Sequence, residues 1–366
     1  MRQSGSIWQQ FDHVLFGTTI ILIIFGILMI RSATLDAVDP DLIRRVPDQI
    51  IFAFLGVGLM MLLTVIDYRT LGGLHLWLYL LMVSLLIIVL GLGVVGDAGA
   101  QRWINLGFIR IQPSEIGKII IIITLGHFFA TNYQKLDNIG TVIKSLLHLA
   151  IPAGLVFIQP DLGTTIVFIV IWSVMIWGAG LRVYHIGIFL AIIALAAPFV
   201  WSQMQDYQRQ RITTFISPES DPDAQFNILQ AQIAIGTGGF LGKGYANGTQ
   251  SQLRFLRVRH TDFIYSVIAE ELGFVGGITV MGLIGLVIIR ILNGARHAAD
   301  ELGALICYGV AAIIFFQTMV SIGMNLSLLP VTGLTLPFIS SGGTSLMSTL
   351  AGVGLAQSVI VRRRRI

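Results

Sequence analysis

The chain has 366 residues, of which 55% are apolar and only 11% charged, with a formal net charge of +4 and a mean hydropathy of +0.83. A globular domain carries about 25% charged residues, so this composition excludes a soluble fold. The apolar runs are unbroken and about twice the length of the alternating strands of an outer-membrane barrel, which leaves an all-α polytopic membrane protein.

In chain order, the apolar runs between charged or Pro/Gly breaks predict about ten spans: 13–31, 49–66, 74–95, 114–131, 141–158, 162–179, 185–202, 264–292, 303–327 and 344–361. The first is read as a retained helix rather than a cleaved leader, because its apolar stretch is long and nine further segments follow it. The fifth and sixth, separated by Gln159, Pro160 and Asp161, form a tight hairpin. No internal repeat divides the chain, so 1–366 reads as a single membrane domain. The single cysteine, Cys307, lies inside an apolar run and rules out both a disulfide framework and a cysteine-based metal site.

An even number of spans puts both termini on one side. With that side cytoplasmic, Arg2, Arg69, Lys135, Lys144, Arg182, Arg290, Arg296 and Arg362 to Arg365 face inward. They outnumber Arg31, Arg44, Arg45, Arg102 and Arg110 in the short outer loops. The terminal arginine run abuts the last span, so the net positive charge reflects topology and not nucleic-acid binding. The inner loops are short. The outer side receives loops 31–48, 96–113, 159–161 and 328–343 and the large loop 203–263, so chemistry is expected on the outer face.

Ionisable groups at helix ends in a membrane are costly and count as functional candidates. At 112–118, Pro113 and Ser114 start a helix, and Glu115 and Lys118 share one of its faces. Two readings stand: a structural ion pair, or a lysine offered to a substrate phosphate and steadied by the glutamate. Asp161 opens the sixth span, where it can cap the helix or support a site. Asp262 opens the eighth after the basic stretch holding Arg254, Arg257 and Arg259. It is either a cap or a base beside a bound anion. Burial would raise its pKa, while the helix dipole and the arginines would lower it.

Within the large loop, Tyr207 to Arg211 includes Gln208, Arg209 and Arg211. Arginine forks suit diphosphate, although loop arginines also serve lipid headgroups or solvent. The glycine-rich stretch Gly236 to Gly244 lacks the P-loop pattern, since Thr237 takes the first glycine position and Gly244 follows Lys243. It reads as a flexible turn beside an amphipathic stretch at 228–235 on the membrane surface, or as a weak phosphate cradle. The histidines do not cluster at metal-ligand spacing, and His127 and His148 read as packed residues. There is no nucleophile elbow.

The motifs QPSEIGK at 112–118, QPDLGT at 159–164, AQIAIGTGGFLGKG at 231–244, RHTDFIYSVIAEELG at 259–273 and SIGMNLSLLPVTGLTLPFISSGGTS at 321–345 occur in an order that resembles the SEDS (shape, elongation, division, sporulation) family. The similarity extends over essentially the whole chain and lies nearer the RodA branch than the FtsW branch. Two positions depart from the family pattern: Arg257 and Val258 replace a common Pro-Glu, and Ser341 stands where a tyrosine is common.

The resemblance implies a multi-pass enzyme of the bacterial cytoplasmic membrane that polymerises lipid II on the outer face during elongation. It implies complexes with a class B penicillin-binding protein and other elongation-complex membrane proteins. The family's essential aspartate falls on Asp262 and its polar helix pair on Glu115 and Lys118. Transfer of a sugar from a diphosphate needs a base for the attacking hydroxyl and cations for the leaving anion, whereas glycoside hydrolysis needs two flanking carboxylates. The expected site therefore has Asp262 as base, with Lys118, Glu115, Arg209, Arg211 and Arg110 around the undecaprenyl diphosphate and Asp161, Gln208 and Lys243 in support. A divalent cation bridging the diphosphate is compatible with this arrangement, although no protein ligand set is evident. The rival reading is a flippase for the same lipid-linked precursor; a non-catalytic scaffold would leave the membrane charges without a role.

Overall fold

The computed structural model describes residues 7–35, 39–95, 101–105, 107, 110–136, 138–181, 187, 195, 198, 200–253, 255–256 and 258–363. Among them, seven helices are long and apolar enough to cross a membrane: α1 (His13–Ala33), α2 (Pro40–Val65), α4 (His75–Leu92), α5 (Pro113–Thr131), α6 (Ile139–Ile158), α11 (Ile264–Arg296) and α12 (Glu301–Asn325). The shorter α7 (Leu162–Gly178) and the less apolar α13 (Gly343–Ile360) occupy two more expected spans. The seventh expected span, 185–202, lies largely outside the described residues.

Local chemistry sets the helix ends. Asp12 caps α1 by accepting from the Leu15 amide at 2.9 Å, and its other oxygen pairs with Arg290 near the inner end of α11 at 2.6 Å. The second span begins well before residue 49, because Asp39 caps it, Pro40 occupies the first turn and Pro47 is tolerated inside the helix. Much of the expected 31–48 loop is therefore helical. A six-residue helix, α3 (Tyr68–Gly73), links α2 to α4.

The outer loops are also more ordered than their polarity suggests. Segment 96–113 contributes β2 (Gln101–Asn105) and β3 (Arg110–Ile111), which with β1 (Val94–Val95) make a small antiparallel sheet. The large loop holds α8 (Asp206–Ile216), α9 (Pro222–Gly238) and the one-turn α10 (Thr249–Gln252).

Helices α5 and α12 form the centre of the bundle, with 72% of each span buried, against 17% for the peripheral α4. Helix α13 packs along α2 so closely that a Cβ on Gly354 would stand 2.4 Å from the Met60 carbonyl oxygen. Helix α11 is interrupted at Gly273 (φ 67°, ψ −164°), a conformation open essentially to glycine alone.

Candidate active site at the outer end of the bundle

Asp262 sits one residue ahead of Phe263, the N-cap of α11, and the backbone around it is held by two other parts of the chain. Asn325, at the end of α12 and fully buried, donates from Nδ2 to the Asp262 carbonyl at 2.8 Å. Its Oδ1 accepts from the Ser266 amide at 3.0 Å and hydroxyl at 2.7 Å. From the 328–343 segment, the Ser340 hydroxyl donates to the Thr261 carbonyl at 2.8 Å and the Ser341 amide to the His260 carbonyl at 3.0 Å. The family departure at Ser341 thus leaves this backbone clamp intact, while Arg257 lies outside the described residues. Burial pushes His260 down to about 4, and Arg45 and Arg259 push the same way, so the imidazole beside Asp262 is neutral at physiological pH.

The Asp262 side chain lines a cavity of about 370 Å³ together with Arg211, Tyr207, Asp221, Asn227 and Phe263. Burial raises the carboxyl above the ordinary carboxylate range; the Arg211 guanidinium and a hydrogen bond with Thr261 pull it part of the way back. The residue nevertheless keeps some exposed surface, because the cavity lies against it. A half-desolvated carboxylate beside one arginine is suited to accepting a proton from a hydroxyl.

Arg211 lies on α8, whose position is set by Tyr207. The Tyr207 hydroxyl donates to the Pro160 carbonyl, and Arg102 donates to that hydroxyl at 2.7 Å and to the Gln159 carbonyl at 3.2 Å. The α6–α7 hairpin, the β2 strand and α8 are thereby joined. The Arg211 guanidinium lies 5.8 Å from the Tyr207 ring centroid.

The other expected site residues have different partners. Lys118 and Glu115 form an ion pair at 2.7 Å, with side-chain exposures of 1% and 8%, and the Ser348 hydroxyl of α13 donates to the Glu115 carbonyl at 2.7 Å. Neither residue lines the cavity, so the structure does not bring Lys118 together with Asp262 there. Arg209 donates to the Trp201 and Ser202 carbonyls at 3.1 and 2.9 Å. Gln208, buried, accepts from the Gln205 amide at 3.0 Å as part of the α8 cap. Asp161 caps α7, accepting from the Thr164 amide at 3.2 Å and hydroxyl at 2.9 Å and from Gln112 at 3.0 Å. Arg110 is exposed on β3 opposite Asn105.

Lys243 belongs to a second, structural assembly. Its ammonium meets Glu270 at 2.9 Å, Thr237 at 2.9 Å and Thr249 at 2.8 Å. The glycine-rich turn around it docks at the break in α11. The Lys243 and Gly244 amides donate to the Glu270 and Glu271 carbonyls at 3.0 and 2.9 Å, and the Phe274 and Val275 amides donate to the Gly239 and Phe240 carbonyls at 2.9 and 3.2 Å. At 1.5 Å per residue, Gly273 lies ~14 Å along α11 from its first residue. The turn therefore reaches well below the helix's outer end, instead of lying on the surface as a flexible connection.

Among the described residues, no cluster of three or more His, Cys, Asp or Glu side chains is placed to hold a metal ion. His148 contacts the Thr124 hydroxyl at 3.0 Å, and His127 stacks on His75 with ring centroids 3.9 Å apart. Asn325, the main clamp on Asp262, and Thr214, which faces the cavity, are residues that sequence reasoning did not single out. A polar Asn at the end of a long apolar run was a legible signal; a threonine in a polar helix was not.

A polytopic helical bundle whose outer end holds a cavity lined by a half-buried aspartate and a guanidinium has the form of a membrane enzyme working on a substrate at the outer surface. The chain belongs to the FtsW/RodA/SpoVE family of cell cycle proteins, whose model matches residues 12–365. It is 37% identical to the peptidoglycan glycosyltransferase MrdB of Escherichia coli K12 over 96% of this chain and 95% of that one. It is 35% identical to the stage V sporulation protein E of Bacillus subtilis over 95% and 96%.

Among solved structures, a chain from work on the structural coordination of polymerization and crosslinking by a peptidoglycan synthase complex superposes with a TM-score of 0.81 at 31% identity, covering 97% of this chain and 99% of that one. The rod shape determining protein RodA of Thermus thermophilus gives 0.73 at 29% identity, covering 98% and 99%. With its apolar helices, this membership makes the chain a multi-pass protein of the bacterial cytoplasmic membrane.

Proposed function

We propose that the chain acts as a peptidoglycan glycosyltransferase, joining lipid II units into glycan strands on the outer face of the membrane during cell elongation. Asp262 takes the proton of the acceptor 4-hydroxyl while that oxygen attacks the donor's anomeric carbon from the side opposite the diphosphate. The new glycosidic C–O bond forms with inversion, and the old one breaks with its electron pair leaving on undecaprenyl diphosphate. The observation that carries this reading is the half-buried Asp262 carboxyl facing a cavity with Arg211 beside it.

The leaving group is already a good anion and needs cations more than an acid. Arg211 is in place for that role. Lys118, Arg209 and Lys243 reach a diphosphate only by giving up or reorienting the contacts described above, which a substrate-bound rearrangement would supply; Arg110 is exposed on β3. A divalent cation brought in with the diphosphate would add positive charge there, although among the described residues no cluster of three or more His, Cys, Asp or Glu side chains is placed to hold one. The similarity to a chain of a peptidoglycan synthase complex supports a class B penicillin-binding protein as partner.

The test is polymer formation from lipid II by the purified chain with its transpeptidase partner. Asp262→Asn is expected to cut the rate by about 10²–10⁴, the ordinary contribution of a general base. Undiminished polymer from that variant would overturn the assignment. Transfer of lipid II across liposomes without any polymer would favour the flippase.

A further inference from the structure

Resting on that reading of Asp262, we infer that Asn325 is a positioning residue for the transfer: reaching across from α12, it caps α11 and so leaves the Asp262 carboxyl free to face the cavity.

An aspartate just ahead of a helix has a competing use. The first N–H groups of a helix lack partners within it, and a nearby Asp side chain ordinarily accepts from the second or third of them. A carboxylate engaged in that way is turned back onto its own helix. In α11 the cap position is held by Phe263, which has no side-chain acceptor. The Ser266 amide, third in the helix, is shared between the Phe263 carbonyl at 3.1 Å and Asn325 Oδ1 at 3.0 Å, and the Ser266 hydroxyl donates to the same oxygen at 2.7 Å. The side-chain cap therefore comes from another helix. The Asp262 carboxyl, relieved of that duty, keeps a hydrogen bond with Thr261 and lines the cavity with Arg211.

The other half of the Asn325 amide fixes the direction of the base. Its Nδ2 donates to the Asp262 carbonyl at 2.8 Å and to the Ser321 carbonyl at 2.7 Å. An asparagine amide has two donor and two acceptor positions, and here all four are used. One orientation alone satisfies them, since the two carbonyls can only accept and the Ser266 amide can only donate. The side chain is fully buried and projects from the last turn of α12, so it refers Asp262 to the centre of the bundle.

The Asp262 carbonyl belongs to the peptide that follows residue 262. The Thr261 carbonyl, held by the Ser340 hydroxyl at 2.8 Å, belongs to the peptide before it. Each peptide is a rigid plane, so pinning both leaves the Cα–Cβ bond of residue 262 with one direction. That matters to a base, which must come within about 2.6–3.2 Å of the hydroxyl it deprotonates; a misplacement of about 1 Å can cost 10²-fold in rate.

Polymerisation of lipid II by the full-length protein with its transpeptidase partner tests this in a double-mutant cycle, with rates taken per folded molecule. Asn325→Leu, close in size but without hydrogen bonds, should lower kcat about ten- to hundred-fold and leave KM within about two-fold. In the Asp262→Asn background the same substitution should change the residual rate by less than about two-fold, because a residue that acts through the base has nothing left to position. Native kcat in Asn325→Leu, or an equal loss in both backgrounds, would overturn the assignment; the second result is the mark of a purely structural asparagine. If Asn325→Leu does not fold by its melting curve, Asn325→Asp takes its place in the same cycle. It keeps acceptors for Ser266 but loses the grip on the Asp262 carbonyl, so the same losses are expected. The two claims fail separately: a native rate in Asp262→Asn removes the base, whereas an inactive Asp262→Asn beside a fully active Asn325→Leu removes only the positioning role.

Discussion

Asp262 and Glu270 bracket the upper part of one helix and have opposite surroundings. Glu270 is fully buried and saturated: Lys243, the amides of Gln250 and Ser251, and the Thr249 hydroxyl converge on it at 2.8 to 3.2 Å. Asp262 keeps an open side toward a cavity, and its cation approaches from another element. The two cost the fold in different ways. A saturated carboxylate repays its desolvation through its partners and serves architecture, whereas an under-satisfied one holds its capacity in reserve for a substrate.

The sharpest way to break this contrast is Asp262→Asn. Its raised pKa means that ionising it destabilises the fold. That stability is fully present below the ordinary carboxylate value of ~3.9 and is lost as pH rises through the raised value. At neutral pH the variant should therefore melt at the same or a higher temperature while losing the activity stated above; a clear drop in melting temperature would make Asp262 structural.

Glu270→Ala should do the reverse. Removing one side of a buried pair lowers stability by about 3–5 kcal/mol, to be read from thermal unfolding in detergent. Lys118→Met strands Glu115 and should cost a similar amount. Adding Glu115→Gln should recover most of the stability but not the polymerisation rate, and recovery of both would reduce the pair to architecture. A smaller effect is expected from Arg211→Gln, which removes the cation holding the Asp262 carboxyl down. The acid limb of the rate profile should move to higher pH; an unmoved limb would separate the two groups. Least of all should change in Asp161→Asn, which keeps the α7 cap and should alter stability by less than ~0.5 kcal/mol. Lost activity there would give Asp161 a role beyond capping.

The spans were legible because a run of 18 or more apolar residues in a bilayer has to satisfy its own backbone, and a helix is the local way to do so. The helices of 203–263 were not, since their faces become meaningful only against α11. The glycine-rich turn is the clearest case: the backbone groups that receive it are freed by the break at Gly273, which no local pattern around 236–244 reveals. At the site, charge and position along the helices pointed to Asp262 and Arg211. Lys118, grouped with them from sequence, does not line that cavity, because sequence conveys the depth of a residue in the membrane but not its bearing around the bundle. Thr214 lacked any signal, as its place on the cavity wall is a fact of packing.

The break at Gly273 divides one span into two mechanical parts. The glycine-rich turn spans the break, bonded to Glu270 and Glu271 above it and to Phe274 and Val275 below it, while Asn325 holds Ser266 nearer the outer end. The turn thus splints the two parts, tying the large loop that helps frame the cavity to the same helix that carries the aspartate at its head.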